Sequence, residues 1–526
     1  MGSAGTVSLF APLRISRLRN MLGYSLSGSV GVWILVVAVQ WILTEAGESA
    51  STVSLVQFAA SLPFFLLSLP LGAITEFVSH RTLLVGTALT LFASAVLLSV
   101  LSQLGLASTP VLMVAVFVAG SGLASIAIVW QALLPNIVSR EMLQVVPAID
   151  GAVFNGARAI GPVIGGAVLA GFGATWSFVM VAVLFALCAV IATLNVPGHV
   201  GRAETHRPVR EAVAGSLRFI QHSRWTRRLL LRLTMFGIPA SCLWGLLPLV
   251  AHDRLHTSTF EFGVLSGAIG VGAVLGTVAL MPLRARMSWN HFVALCSAAY
   301  AVVLAGMALI PWYTVMFALL VVVGAAWVGV QSTWMIATHA VMPSWIKARV
   351  IAFIMLVFQG SQAVGSVLWG VLADLIGLVP SILLSALVMA LSAIGMIRRG
   401  IMPSDHIAPD LAESPGPVAA PPGHEGKWVI IETTYRVVPG CAPEFFAAMS
   451  ELRLSRLRLG ARRWTLAAPV DSSDSFVEYC MFKDWAEYRS QETERLTVPE
   501  YRLRTLLTDY LVTEPRTRVL VEPKNP

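Results

Sequence analysis

Charge is scarce in this chain of 526 residues, where only 12% are Asp, Glu, Lys or Arg, against roughly 25% in soluble domains. An ordinary soluble core has no use for sequence that is 56% hydrophobic, so a purely soluble domain is excluded. Cysteine is scarce too. Cys188, Cys242, Cys296, Cys441 and Cys480 lie far apart with no Cys-x-x-Cys among them, which argues against a disulfide framework or a zinc site. No Gly-x-x-x-x-Gly-Lys-[Ser/Thr] loop is present, so ATP-driven work would need another chain. A basic face with interleaved aromatics, the mark of a nucleic-acid binder, is also missing. No Ala-x-Ala-type site follows the first apolar run, which is too long for a signal peptide and reads as a retained anchor.

What is present is apolar length. Twelve stretches of about twenty residues fall near 22–43, 53–74, 82–103, 110–130, 146–170, 174–195, 230–251, 262–282, 290–310, 312–335, 349–373 and 378–398. At ~1.5 Å per residue each spans a hydrocarbon core of ~30 Å. The basic residues sort by side. With the N-terminus cytoplasmic, inside segments hold nineteen Lys or Arg, from Arg14 to Arg399, and outside segments hold Arg254 alone. This asymmetry predicts twelve crossings with both termini cytoplasmic. The net charge of +8 is mostly a topology signal.

The chain divides into a six-span block (1–195), a polar Arg-rich connection (196–229), a second six-span block (230–400), a Pro-rich linker (401–426) and a soluble tail (427–526). The two membrane blocks repeat. Gly161, Gly166 and Gly173 in span five match Gly365, Gly370 and Gly377 in span eleven at one offset of 204. Two related bundles are the architecture of many secondary transporters.

On these residues, the chain resembles the major facilitator superfamily. Within it, the likeness is to the enterobactin-exporter-like branch of transmembrane secretion effectors. The resemblance is carried by Gly72-Ala-Ile-Thr-Glu76-Phe-Val-Ser-His80-Arg81 after span two, Gly161-Pro162-Val-Ile-Gly165-Gly166 in span five and Gly365-Ser-Val-Leu-Trp-Gly-Val-Leu-Ala-Asp374 in span eleven. In the tail it is carried by Gly460-Ala-Arg-Arg-Trp464 and Phe482-Lys-Asp-Trp485. It implies an all-α membrane fold of twelve helices in two six-helix repeats, with a small α+β ferredoxin-like cytoplasmic domain. It also implies a proton-driven exporter of siderophore-like or drug-like molecules in a bacterial cytoplasmic membrane, without a cofactor and without enzymatic activity.

Four sets of residues could carry chemistry. In the loop after span two, Glu76 stands where the family has Asp, Arg81 supplies a base, and Phe77 departs from the basic pattern. A carboxylate at a helix end can latch one conformation, though a solvated loop charge is the plainer reading. In span five, Pro162 removes a helical N–H and predicts a bend, while Gly161 and Gly165 form a small-x-x-x-small face. Together with Gly166 they resemble the exporter motif, with Gly156 one place early. Arg158 lies ~18 Å into its span, near mid-membrane, where a charge costs several kcal/mol unless paired or wetted. Three readings stand for it: an anchor for an anionic substrate, a switchable partner for a carboxylate, and a fixed structural group. Asp150 is two turns away. A polar and aromatic set (Trp33, Gln40, Trp130, Gln131, Trp244, Trp327, Gln331, Trp334, Gln359 and Gln362) suits a cavity for bulky ligands, although Trp is also an interfacial and packing residue. Gln362 sits at the repeat position of Arg158. Asp150, Glu76 and Asp374 are the acids available for proton coupling, and Asp374 near the outer end of span eleven could simply cap that end.

The tail pattern predicts strands at 427–439, 462–468, 476–482 and 516–521, with helices at 442–458, 485–496 and 499–511: a βαββαβ order. It resembles the dimeric barrels of antibiotic-biosynthesis monooxygenases. With no convincing nucleophile and base, a dimerisation or regulatory module is favoured over a tethered enzyme. A membrane sensor with the tail as its output is the alternative to a transporter.

Overall fold

A computed structural model of the chain describes residues 11–75, 78–134, 137–139, 142, 146–196, 209–398, 400, 410–412, 426–470 and 474–522. Eleven of its helices are long and apolar enough to cross a bilayer. The first block holds α1 (Ser16–Glu45), α2 (Ala50–Ile74), α3 (His80–Gln103), α4 (Thr109–Leu133) and α5 (Val146–Asn195). Helix α6 (Val209–His222) follows, and then α7 (Arg224–Leu249), α8 (Thr259–Ala279), α9 (Met281–Arg286), α10 (Trp289–Leu309), α11 (Tyr313–Val341), α12 (Ser344–Ile376) and α13 (Leu378–Arg398). Helix α5 is 50 residues long and leaves helical geometry at Gly173 (φ 81°, ψ 179°), a backbone conformation that glycine adopts without steric cost. The chain doubles back there. Asn195 meets Asn20 at 2.6 Å, while Thr175 accepts from Ser99 near the opposite end of α3. Each arm is long enough to cross, so the eleven helices make twelve spans. The break falls at Gly173, and the helix itself runs on through Pro162.

Large apolar side chains such as Leu97, Leu194, Val302 and Leu387 stay more than half exposed on the bundle perimeter, as lipid-facing residues must be when no other surface covers them. Glycines set the internal packing. A Cβ on Gly161 would stand 2.8 Å from Trp33 Cβ, and one on Gly165 would stand 3.2 Å from Ile34 Cα, so both face α1. A Cβ on Gly166 would stand 2.9 Å from Thr259 O of α8, in the other half. The repeat obeys the same rule. Gly365 lies against Ile238 and Ser241 of α7, and Gly370 against Ala50, Ser51 and Ser54 of α2. Span five packs on span one of its own half and span two of the other, and span eleven does likewise. The internal repeat read from sequence is therefore a repeat of contacts.

The tail folds as β1 (Val429–Arg436), α14 (Ala442–Leu459), β2 (Arg463–Ala467), β3 (Ser475–Phe482), α15 (Trp485–Ser490), α16 (Val498–Thr508) and β4 (Arg516–Val521). The sheet order is β2-β3-β1-β4, with every adjacent pair antiparallel, which is the ferredoxin-like arrangement. Alternation along β1 buries Val429, Ile431, Thr433 and Tyr435, as a sheet covered on one face requires. Within the Pro-rich stretch, residues 410–412 are pinned to the tail: Ala412 N–H donates to Leu496 O at 2.9 Å and Val498 N–H to Asp410 O at 2.9 Å. The rest of 401–425 lies outside the described residues.

Two compact units result. One is Met1–Thr205, Leu230–Trp334 and Ile354–Ile401, which holds both membrane halves. The other is His206–Leu229, Met335–Phe353 and Met402–Pro526. The tail thus shares its unit with α6 and with the α11–α12 turn.

Among the described residues, the tightest main-chain contact that a glycine makes between the halves is at Gly270 of α8, where a Cβ would meet the Ala159 backbone and stand 2.7 Å from Arg158 C. Gly270→Ala is expected to cost ~1–3 kcal/mol through overpacking. Gly86→Ala, in open space, should be neutral or slightly stabilising. Thermal unfolding of the purified chain in detergent, followed by size-exclusion chromatography, distinguishes the two.

Candidate functional site

Arg158 lies on the first arm of α5 and is buried. Its guanidinium carbon is 4.9 Å from the centroid of Trp33, 5.2 Å from Phe154, 5.2 Å from Trp244 and 6.0 Å from Trp327. Those rings come from α1, α5, α7 and α11, so both halves build the cage. Each face is worth up to ~2 kcal/mol to a desolvated cation, enough in sum to offset the several kcal/mol that a buried membrane charge costs. No carboxylate pairs with Arg158 among the described residues, and its Nε–H has no hydrogen-bond acceptor. A guanidinium has five donors, and a buried donor without an acceptor is a cost that a ligand oxygen would remove.

The cage continues as one aromatic network. Trp33 is 6.0 Å from Trp244, which is 5.8 Å from Trp327. Trp327 in turn contacts Phe236, Tyr300 and Phe358 at 6.0, 6.4 and 5.3 Å. Trp334 packs on Phe236 at 5.5 Å. From Arg158 a narrow cleft, with about 20 Å³ of room for the centre of a water-sized sphere, runs between Trp33, Val37 and Gln40 of α1, Leu247 and Pro248 of α7, and Phe262 and Ser266 of α8. Gln40 has a structural reason for its position. Pro248 cannot donate to the carbonyl four residues back, and that carbonyl, Trp244 O, accepts the Gln40 Nε2–H at 3.0 Å instead.

Beyond the cleft, toward the ends where α2 and α8 begin, Asp374 of α12 reaches α2. Its Oδ1 accepts the Ala50 N–H at 2.8 Å and its Oδ2 the Ser51 N–H at 3.0 Å. These are first-turn amides that a helix leaves without partners, at the positive end of its dipole. Asp374 therefore caps a helix of the other half, not its own.

The remaining sequence candidates divide. Gln362 is buried on α12 with neither amide atom hydrogen-bonded. Gln331 and Gln359 are half-buried and Gln131 is exposed. Trp130 lies in the core of the first half with Leu18, Met21 and Val129, where its indole lies near the Asp150 carboxylate. Asp150 thus meets Trp130 and not Arg158. Arg81 is exposed in the first turn of α3. Glu76 and Phe77 lie outside the described residues. Sequence reasoning missed Phe154, one helical turn before Arg158 and legible from i, i+4 spacing. It also missed Gly263, Gly267 and Gly270, whose small-residue spacing on α8 was there to be read.

The profile of the family described as "transmembrane secretion effector" matches residues 7–524. The chain belongs to this family. Relatives of this chain include the multidrug efflux pump Tap of Mycobacterium tuberculosis (strain ATCC 25618 / H37Rv), 26% identical over 399 residues, 73% of this chain and 94% of that one. Tap of Mycolicibacterium fortuitum is 23% identical over 70% of this chain and 91% of its own. The staphyloferrin A transporter of Staphylococcus aureus (strain NCTC 8325 / PS 47) is 22% identical over 66% and 88%. Among solved structures, the nucleoside transporter NupG superposes with a TM-score of 0.61 at 11% identity, covering 73% of this chain and 99% of that chain. An inward-facing bacterial homologue of the lysosomal transporter Spinster gives 0.55 at 14%, covering 74% and 95%. The major facilitator architecture expected from sequence is thus the fold of this transmembrane secretion effector, and efflux-type membrane transport is its class.

The tail holds the other dense cluster of ionisable groups. Glu478 is fully buried on β3. Its Oε1 accepts from Trp464 Nε1 at 2.8 Å, Arg456 Nε at 3.3 Å and the Cys480 thiol at 3.2 Å, and its Oε2 from the Tyr435 hydroxyl at 2.7 Å. Arg456 also reaches Glu492, which accepts both terminal nitrogens of Arg504, at 2.6 and 3.0 Å. Burial, and then the Glu478 charge, push the Cys480 thiol well above its ordinary range, so it is no thiolate nucleophile. Both carboxylate oxygens of Glu478 accept hydrogen bonds from buried partners, which makes this a structural network.

Burial alone would raise the Glu478 carboxyl, but Arg456 and the donors around it bring it below the usual carboxylate range. A carboxyl depressed in the folded state adds stability that is complete above its ordinary value of ~4.3 and is lost as pH falls through the folded value. Protection of residues 475–482 from hydrogen exchange in the full chain should therefore decline below about pH 4. Glu478→Ala should cost the tail about 3 kcal/mol even at neutral pH, by leaving Arg456 with Glu492 alone and the buried Tyr435 hydroxyl and Trp464 indole without their acceptor.

Proposed function

We propose that this transporter exports bulky amphipathic molecules that present a carboxylate or another oxygen acceptor, siderophore-like or drug-like, in exchange for protons. The observation that carries the reading is the buried Arg158 with an open donor, enclosed by aromatic faces from both halves at the foot of a cleft. The guanidinium takes the ligand oxygens and the Trp33, Trp244 and Trp327 rings take its apolar body. The relatives, multidrug efflux pumps and a staphyloferrin A transporter, agree with this class of cargo. Gln362, Gln359, Gln331 and Gln40 supply further amide contacts as the halves move.

Alternating access follows from where the halves touch. Gly166, Gly263, Gly267 and Gly270 make one glycine seam between α5 and α8, and Asp374 makes a second, polar seam between α12 and α2. Opening the site toward that face separates both seams. In this reading Glu76 with Arg81, in the loop after span two, is a second latch, and Asp150, Glu76 and Asp374 are the acids available to carry a proton. The arginine asymmetry supports a bacterial cytoplasmic membrane location with both termini inside, and the ferredoxin-like tail is suited to dimerisation.

Proteoliposomes with an imposed pH gradient and a panel of labelled compounds test the reading. Arg158→Ala should abolish uphill movement while leaving protein in the membrane, and Arg158→Lys should recover only a fraction, because an ammonium lacks the planar fork. Wild-type flux in Arg158→Ala would sink the role of this residue. Asp374→Asn should shift the conformational balance about five- to thirty-fold toward separation of that face, for one charge-assisted contact of ~1–2 kcal/mol. Spin labels at Gly47→Cys and Gly377→Cys on a cysteine-free background read that population as a longer distance.

A further inference from the structure

The Arg158 cleft has two donors to spare. The Arg158 Nε–H has no acceptor, and neither has the indole N–H of Trp33, whose nitrogen is buried. Both residues line the cleft, one from α5 and one from α1, with the guanidinium carbon 4.9 Å from the Trp33 ring centroid. An indole nitrogen can only donate, and so can a guanidinium. A buried donor without an acceptor costs free energy, so two of them on one wall mark a place for a guest that accepts. The side-chain amides on the same wall are engaged. Gln40 Nε2–H donates to Trp244 O at 3.0 Å, and Gln57 Nε2–H donates to Ser61 Oγ at 3.0 Å.

Charge and size narrow the guest. Arg158 is buried, and among the described residues no carboxylate pairs with it and no acid lines the cleft. A neutral water would answer the donors and leave the charge alone. An anion answers both, and in a low-dielectric interior the attraction between charges is the larger part. The room is small. About 20 Å³ is open to the centre of a water-sized sphere, and a single water needs ~10–15 Å³. That admits one monatomic guest, whereas a bulky molecule does not fit between these helices as they stand. Much of the remaining wall, including Val37, Leu247 and Phe262, is apolar. A divalent or strongly hydrated anion would lose more water there than it gains in contacts.

We propose that Arg158 and Trp33 form a site for one chloride-sized monovalent anion, gripped by the guanidinium and by the indole N–H. The Trp33 ring face serves the cation and its N–H edge serves the anion, so one side chain supports both charges. The site does not rest on the identity of the cargo. A cargo that presents an oxygen acceptor to Arg158 displaces the anion from the same donors.

The test uses the full-length chain in dodecyl maltoside. Binding of radioactive chloride is read by scintillation proximity at fixed ionic strength, with gluconate making up the balance. One saturable site per chain is expected, displaced by bromide and not by sulfate. Arg158→Gln should abolish it. Trp33→Phe keeps a ring beside the guanidinium and removes the N–H. It should weaken binding about tenfold or more, the scale of one hydrogen bond to a charged group. The Trp327 ring lies 6.0 Å from the guanidinium carbon and is not among the residues lining the cleft, so Trp327→Phe should bind within about fivefold of the wild type. Displacement by bromide against sulfate is read on the wild-type chain, so it tests charge and size whether or not a variant folds. No saturable chloride binding, equal binding in the wild type and Arg158→Gln, or displacement by sulfate overturns the site. Unchanged affinity in Trp33→Phe overturns the shared grip. Cargo flux is not measured, so the fate of this site and that of the cargo reading are decided separately.

Discussion

The missing side chains between α5 and α8 are the constraint on which the membrane domain depends. Where Gly166 meets Gly263 and Gly270 meets the Ala159 backbone, two helices from different halves come together main chain to main chain. Such an approach has value in lipid, where no hydrophobic force drives helices together and close van der Waals contact must do so. It also brings Arg158, one residue from that contact, into reach of rings carried by α1, α7 and α11. The aromatic cage is thus a consequence of the seam.

Inside the cage, charge and aromatic faces replace the ion pair that a buried arginine usually requires. A carboxylate partner would have satisfied Arg158 permanently. Rings stabilise the cation without using up its donors, so the residue stays both buried and receptive. Gln362, at the equivalent place in the second half, repeats the theme in neutral form: a buried amide with no hydrogen bond of its own.

Much of this was legible beforehand, for physical reasons. Membrane spans announce themselves because each must be apolar over a fixed length, and strand alternation made the tail readable nearly element by element. The repeat was visible because glycines that allow close approach cannot be exchanged for larger residues without a clash. Partners are harder to read than positions. That Gly161 and Gly165 face α1 while Gly166 faces α8 depends on helix rotation, which single residues do not encode. That Asp374 caps α2 depends on an approach between segments more than three hundred positions apart. Glu478 looks like any surface acid on a strand until the register places it on the inward face beside Tyr435 and Arg456.

The two seams between the halves are related by the repeat yet chemically unlike. The α5–α8 contact is made of glycines and carries no charge, so ionic conditions leave it untouched. Its counterpart between α12 and α2 is fastened by a carboxylate on exposed amides, which dissolved salt weakens. The same repeat thus joins the halves twice, once through a contact that salt leaves alone and once through a contact that salt loosens.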